Sequence, residues 1–126
     1  MVTRHVVAVA QQAEWLQSAE SAIAALAIQP GFVSAEIAAS TDDAELMLLT
    51  TRWTGVGDYR RALSSFEVKL NALPLLYGAV DEPSSFEVLR EWADGELHKF
   101  EAARAFDADE VAPRDAAQPS VSRRPD

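Results

Sequence analysis

His5, Trp53 and Tyr59 are the side chains of this sequence with the most chemistry to offer as a group. Histidine is the side chain whose ordinary pKa suits proton transfer near neutrality. Tryptophan and tyrosine present flat apolar faces to a planar ligand, and tyrosine adds a phenol that both donates and accepts. Trp53 stands in TTRWTGVGDYRRAL, residues 50–63, where a β-branched run gives way to a glycine-punctuated turn and then to a helical pattern. Packing accounts for the same residues: a tryptophan at a strand end buries much apolar area, and a tyrosine at the head of an amphipathic helix belongs to its apolar stripe. If all three point into the space between a sheet and its helices, that space holds an aromatic wall, a phenol and an imidazole, and it suits a small aromatic ligand. Arg52 falls on the opposite face of the strand from Trp53.

Other chemistries are largely excluded. With two histidines, His5 and His98, one chain cannot build a three-histidine metal site, and no HExxH motif is present. His98 and Glu101 share a helix face at i and i+3, which reads as a solvated surface. No GxGxxG, P-loop or GxSxG pattern occurs, so neither a metal nor a cofactor is expected. Asp42 and Asp43 sit in a turn where aspartate satisfies local backbone donors. Arg60 and Arg61, beside Asp58, read as a solvated face. The formal charge of −9 argues against nucleic acid, whose binding depends on clustered lysine and arginine. No apolar run approaches the roughly 20 residues that cross a membrane. There is no cysteine, which excludes disulfides and leaves a cytoplasmic setting as the default.

The elements that must position these residues are legible as periodicities. TRHVVAVA, residues 3–10, is β-branched and free of glycine and proline, a first strand. From Gln12 to about Ile28, Leu16, Ala19, Ile23 and Leu26 recur at helical spacing. The Gln29-Pro30-Gly31 turn ends that helix, and FVSAEIAAS alternates as a second strand over 32–40. A short TDDAE turn leads into a third strand at 45–53, so the two pair as a hairpin. Asp58 is placed as the cap of a second helix whose stripe is Tyr59, Leu63, Phe66, Leu70 and Leu73; Pro74 ends or kinks it, and LLYGAV makes one further short turn. SFEVLREW, residues 85–92, fits a fourth strand.

The order strand, helix, strand, strand, helix, strand is the split arrangement of ferredoxin-like α+β folds: an antiparallel four-stranded sheet with both helices on one face. Leu46 and Leu48 then lie on the face opposite Met47, Leu49 and Trp53 and must find a partner of their own. A homodimer joined sheet to sheet is therefore expected. The domain is drawn as 1–92. A helical extension follows over 93–110, with Leu97, Phe100, Ala103 and Phe106 on its apolar side, and a flexible tail over 111–126.

The run QPGFVSAEIAASTDDAELMLLTTRWTGVGDYRRAL resembles the antibiotic biosynthesis monooxygenase family. Its members share a Pro-Gly turn after the first helix, a polar hairpin, and a tryptophan ending the third strand before an aromatic residue in the second helix. The resemblance covers about residues 3–92 and implies a dimeric α+β barrel. It also implies, for the quinone-forming branch, oxidation of phenolic polyketide-type substrates by O₂ without metal or flavin, with Trp53 and Tyr59 at the aromatic positions. The asparagine of that branch is missing here: Leu49 and Thr51 occupy its neighbourhood. The haem-degrading branch is disfavoured, since YRRALSSFEVKLNAL contains neither the tryptophan nor the histidine ligand of that branch. Two expectations remain open. One is a cofactor-independent monooxygenase with Trp53, Tyr59 and His5 at its site. The other is a non-catalytic dimer of the same fold that binds a small ligand or assists a pathway enzyme.

Overall fold

Alternation and β-branching do build the first three strands. The computed structural model describes residues 1–102. In it β1 (Val2–Val6), β2 (Phe32–Ala39) and β3 (Leu46–Trp53) form an antiparallel sheet in the order β1-β3-β2. His5 pairs with Met47, Thr3 with Leu49, and Ala35 with Thr51. Side chains alternate between the faces of a strand, so Thr3, His5, Met47, Leu49, Thr51 and Trp53 share one face. All are buried except Trp53, which is half-buried. β1 is shorter than the 3–10 expected, because the Val7 N–H turns to the Glu45 carbonyl and residues Val9–Gln11 wind into a 3-10 turn.

α1 (Gln12–Ala27) ends within one residue of its expected limit, and Ala19, Ala22, Ala25 and Leu26 are its buried face. Alanine at three of those positions lets the helix axis lie close to what it covers. The Gln12 side chain donates to the Val7 and Ala44 carbonyls (3.1 and 2.6 Å), tying the start of α1 to the end of β1 and to the hairpin turn. In that turn Ser40 Oγ accepts from the N–H groups of Asp42 and Asp43, and the Asp43 carboxylate accepts from Glu45 N–H, so the expected role of satisfying a local backbone donor falls to Asp43 and to Ser40.

The second helix is in fact three. α2 (Val56–Leu63) stops at Ser64, α3 (Phe66–Asn71) starts afresh with the Ser65 hydroxyl accepting from Val68 N–H (3.2 Å), and α4 (Leu73–Leu76) follows. Serine at such a cap competes with helix continuation, because its side chain satisfies a backbone donor that the previous turn would otherwise hold. The restart rotates the apolar face, so Val68 and Ala72 are fully buried while Phe66 and Leu70 stand 77% and 60% exposed. The expected stripe therefore fails at Phe66 and Leu70. Pro74 lies in the first turn of α4, where its missing N–H costs nothing, so the further short turn expected here is present but begins at Leu73, with Pro74 inside it. Asp58 is not the cap of α2, which is Gly55. It sits in the first turn, accepting from Thr54 Oγ1 (2.7 Å) and Arg61 Nη2 (2.6 Å). Gly31, at φ 89°, leaves the room that this aspartate needs, since a Cβ there would overlap Asp58 Cβ and Cγ.

The fourth position of the ferredoxin-like sheet is filled earlier in the chain than the expected 85–92. Val80 N–H donates to the Arg4 carbonyl (2.8 Å) and Val2 N–H to the Ser84 carbonyl (2.7 Å), so residues 80–84 run antiparallel along the free edge of β1. Arg4 forks onto Glu82 at 2.8 and 2.7 Å. Pro83 has no N–H to give, which breaks the ladder at its centre and leaves an edge segment in place of a regular strand. The class is α+β and ferredoxin-like. The hydrophobic core lies between sheet and helices: Ala22, Ala25 and Leu26 of α1 meet Ala62, Val68 and Ala72, with Phe32, Trp53 and Leu63 packed against them. Fully burying a side chain such as Leu26 or Val68 contributes about 1.5–3 kcal/mol.

The chain divides after Phe86, and a second unit begins at Glu87. Its described part is a hairpin of β4 (Arg90–Ala93) and β5 (Glu96–Lys99), with Trp92 opposite Leu97. Asp94 and Gly95 both have positive φ, 55° and 77°, as a two-residue hairpin turn of the I′ kind requires. The helix expected over 93–110 is thus a strand over 96–99, and His98 faces Glu91 across the ladder instead of sharing a helix face with Glu101. Residues 103–110 of that expected helix, and the tail expected over 111–126, lie outside the described residues. Among the described residues no helix is long and apolar enough to cross a membrane.

Candidate functional site

His5 lies on the helix-facing side of β1, with 2% of its surface exposed. Its Nε2 is 2.9 Å from Oγ1 of Thr3, which is two residues earlier and therefore on the same face. Burial lowers the imidazole pKa from its ordinary 6.5, so the ring is neutral at pH 7. In the tautomer whose Nε2–H donates to Thr3, the atom left to accept a proton is Nδ1. Trp15, from the first turns of α1, lies against the imidazole with ring centroids 5.2 Å apart and planes tilted by 55°.

These two rings border an open cleft of about 700 Å³ between β1, α1 and the α3–α4 segment. That volume is within the range of small-molecule sites. Val7, Leu70, Pro74 and Leu75 are apolar lining; the other polar contributions are Gln11 from the 3-10 turn, Glu14, Ser18 and Ser21 from α1, and Asn71 from α3. The break at Ser65 has a direct consequence here, because it sets the register that brings Leu70 and Asn71 to the cleft. Among the described residues no three histidine, aspartate or glutamate side chains come together as a metal would need.

Trp53 and Tyr59 are elsewhere. Trp53 Nε1–H donates to Thr51 Oγ1 (2.8 Å), its ring meets Phe32 edge-on at 5.3 Å, and Tyr59 tilts against it at 5.6 Å. This cluster packs on the core around Leu26 and Val68. Burial pushes the Tyr59 phenol pKa above its ordinary 10. His5 pairs with Met47, and Trp53 lies six residues further along β3. At roughly 3.3 Å per residue the two backbones are on the order of 20 Å apart. The structure therefore brings Trp53 and Tyr59 together but sets them apart from His5, and neither borders the cleft. Arg52 is exposed on the opposite face from Trp53, as expected. Leu49 is fully buried in mid-strand, and Thr51 is the acceptor for Trp53.

Apart from His5, the cleft residues were not singled out from the sequence as site residues; Trp15, Glu14 and Asn71 are the most consequential of them. For Trp15 a signal existed: Trp15, Ala19, Ala22 and Leu26 step by four, three and four, the helix's buried face as observed. Asn71 gave no sign, since its position depends on the restart at Ser65.

The sequence profile of the antibiotic biosynthesis monooxygenase family matches residues 2–69. Comparison with curated proteins gives no match. Among solved structures, SnoaB, a cofactor-independent oxygenase from Streptomyces nogalater, is 25% identical with a TM-score of 0.52, over 71% of this chain and 91% of that one. An asparagine-to-alanine variant of SnoaB aligns at 27% identity and a TM-score of 0.54, over 63% and 80% of the two chains. A conserved protein from Methanosarcina mazei Go1 shares the fold at 18% identity and a TM-score of 0.54, over 67% and 82%. The profile spans more than half of the sequence and the fold agrees with it: the chain belongs to the antibiotic biosynthesis monooxygenase family.

Proposed function

We propose that this protein is a cofactor-independent oxygenase of aromatic, polyketide-type phenols, with its substrate in the cleft beside His5 and Trp15. The observation that carries the reading is a buried imidazole at the margin of a cavity of about 700 Å³, with an indole ring against it. Kinship with SnoaB, described as a cofactor-independent oxygenase, supports it.

In this reading the substrate is an anthrone or hydroquinone lying along Trp15. His5 Nδ1 takes a proton from the acidic C–H or O–H, leaving a delocalised anion paired with the imidazolium. For an anthrone, the anion gives an electron to O₂, and the resulting radicals combine to form a C–O bond. The hydroperoxide, protonated from His5, then loses water to leave a carbonyl. The balance is one CH₂ and one O₂ converted to one C=O and one H₂O, so no outside reductant is needed. Trp53 and Tyr59 support the sheet and the core beneath this chemistry.

Leu49 favours a second reading. The resemblance places an asparagine in its neighbourhood, and a fully buried leucine supplies no hydrogen bond to a substrate. A non-catalytic protein of the same fold that holds a small aromatic ligand fits that observation. Oxygen uptake separates the two. With a panel of anthrones, hydroquinones and phenols, the full chain should show saturable uptake matched by quinone formed, and His5→Gln, which keeps a partner for Thr3, should lower kcat by at least about 100-fold. Uptake unchanged in His5→Gln would overturn the role of His5. Binding without uptake in the wild type would establish the second reading.

We also infer a homodimer through the outer face of the sheet. Val6 is 67% exposed there, and Leu46 and Leu48 are covered only in part. Light scattering at micromolar concentration should give twice the chain mass, and a monomer would refute it.

A further inference from the structure

Charge is unevenly distributed around the cleft. Among the described residues that border it there is no lysine or arginine, and Glu14 brings a carboxylate to its rim. The remaining polar side chains are Gln11, Ser18, Ser21 and Asn71, which carry no charge, and His5, whose burial disfavours the imidazolium. Nearby cations are engaged or excluded: Arg4 projects from the other face of β1 onto Glu82, Arg61 is paired with Asp58, and Lys69, next to Leu70, does not reach the lining. The chain as a whole carries −9.

We infer that the cleft selects uncharged aromatic ring systems, and that Glu14 is the specificity residue that turns away their carboxylated counterparts. This rests on the reading of the cleft as the ligand site. A carboxylate entering it gives up hydration and meets no permanent cation; the only described lining group that could pair with it is His5, whose burial disfavours the charged imidazolium, and hydroxyls and amides replace only part of what water supplied. It also meets the exposed Glu14 carboxylate at the rim and approaches against the field of a strongly acidic protein. A phenol or anthrone pays none of this on entry. The anion formed from it during turnover differs from a carboxylate substituent, because its charge appears only as the proton moves to His5, and the pair stays neutral overall.

The test is calorimetric titration of the full chain at pH 7 with dihydroxyanthraquinone and with its carboxylic-acid derivative. The neutral compound should bind at least tenfold more tightly. Glu14→Gln should narrow that gap at least threefold by strengthening binding of the acid. Raising ionic strength from about 0.01 M to about 1 M, which shortens the Debye length from about 30 to about 3 Å, should narrow it in the wild type as well. Equal affinities, tighter binding of the acid, or a gap indifferent to Glu14→Gln would each overturn the selectivity while leaving the cleft a ligand site. If neither compound binds and oxygen uptake is also absent, the reading of the cleft falls, and this inference with it.

Discussion

Two regions of one sheet face use the same device. In each, a ring carrying a polar nitrogen bonds to the hydroxyl of a threonine two residues earlier on its strand: His5 to Thr3 on β1, and Trp53 to Thr51 on β3. In each, further rings close on it: Trp15 on His5, Phe32 and Tyr59 on Trp53. The surroundings differ. Behind Trp53 the helices pack shut, with Val68, Ala72 and Leu26 fully buried. Beside His5 they diverge and leave a cleft. Residue type and local hydrogen bonding are nearly matched, so what separates structural from ligand-binding use is how the helices cover the strand.

Stability against binding should expose this difference most strongly. Trp53→Ala removes a ring held on three sides and should cost about 3–5 kcal/mol in denaturant unfolding. Trp15→Ala, at the edge of an open cleft, should cost on the order of 1 kcal/mol yet weaken binding of a planar ligand at least tenfold. A Trp15→Ala loss as large as that of Trp53→Ala would make both regions core.

Next in size is a pH effect specific to His5. Its folded pKa lies below the unfolded value of about 6.5, so the unfolded chain binds the extra proton first as pH falls. Stability should be level above about pH 6.5 on this account and decline below it, by at most about 1.4 kcal/mol per pH unit, until the folded pKa is reached. The difference between wild type and His5→Gln, followed from pH 7 to pH 5, isolates that decline. A difference that stays constant over the range would contradict a buried neutral imidazole.

Ser65→Ala should have the smallest effect, about 1 kcal/mol of stability. It is informative because α3 serves both regions, with Val68 in the core and Leu70 and Asn71 at the cleft. Ligand affinity should fall along with stability; a loss of stability alone would show that the cleft does not depend on this cap.

The sequence carried the first three strands well because β-branching, alternation and the Pro30-Gly31 turn are local signals. It misled where a local signal was outweighed or overlooked. Apolar residues from Tyr59 to Leu73 kept helical spacing through Ser64 and Ser65, and the cap that restarts the helix was hidden inside a good stripe. Asp94-Gly95 is a hairpin signal that the apolar spacing around it masked. The fourth sheet position was sought in the more apolar SFEVLREW, whereas Val80 to Ser84 occupies it through two backbone bonds and the Arg4–Glu82 fork. The candidate cleft was legible only at His5. His5 could be named from its chemistry, but its distance from Trp53 depends on the register of β1 against β3, which no single-strand pattern contains.

The most direct test of the central claim is to follow the three indole N–H signals, of Trp15, Trp53 and Trp92, by NMR as dihydroxyanthraquinone is added, with each assigned by its Trp→Phe variant. The account predicts that the Trp15 signal moves with saturation while Trp53, bonded to Thr51 within the core, holds its position. A saturating shift of Trp53 with Trp15 unmoved would contradict it and return the ligand to the other end of the sheet.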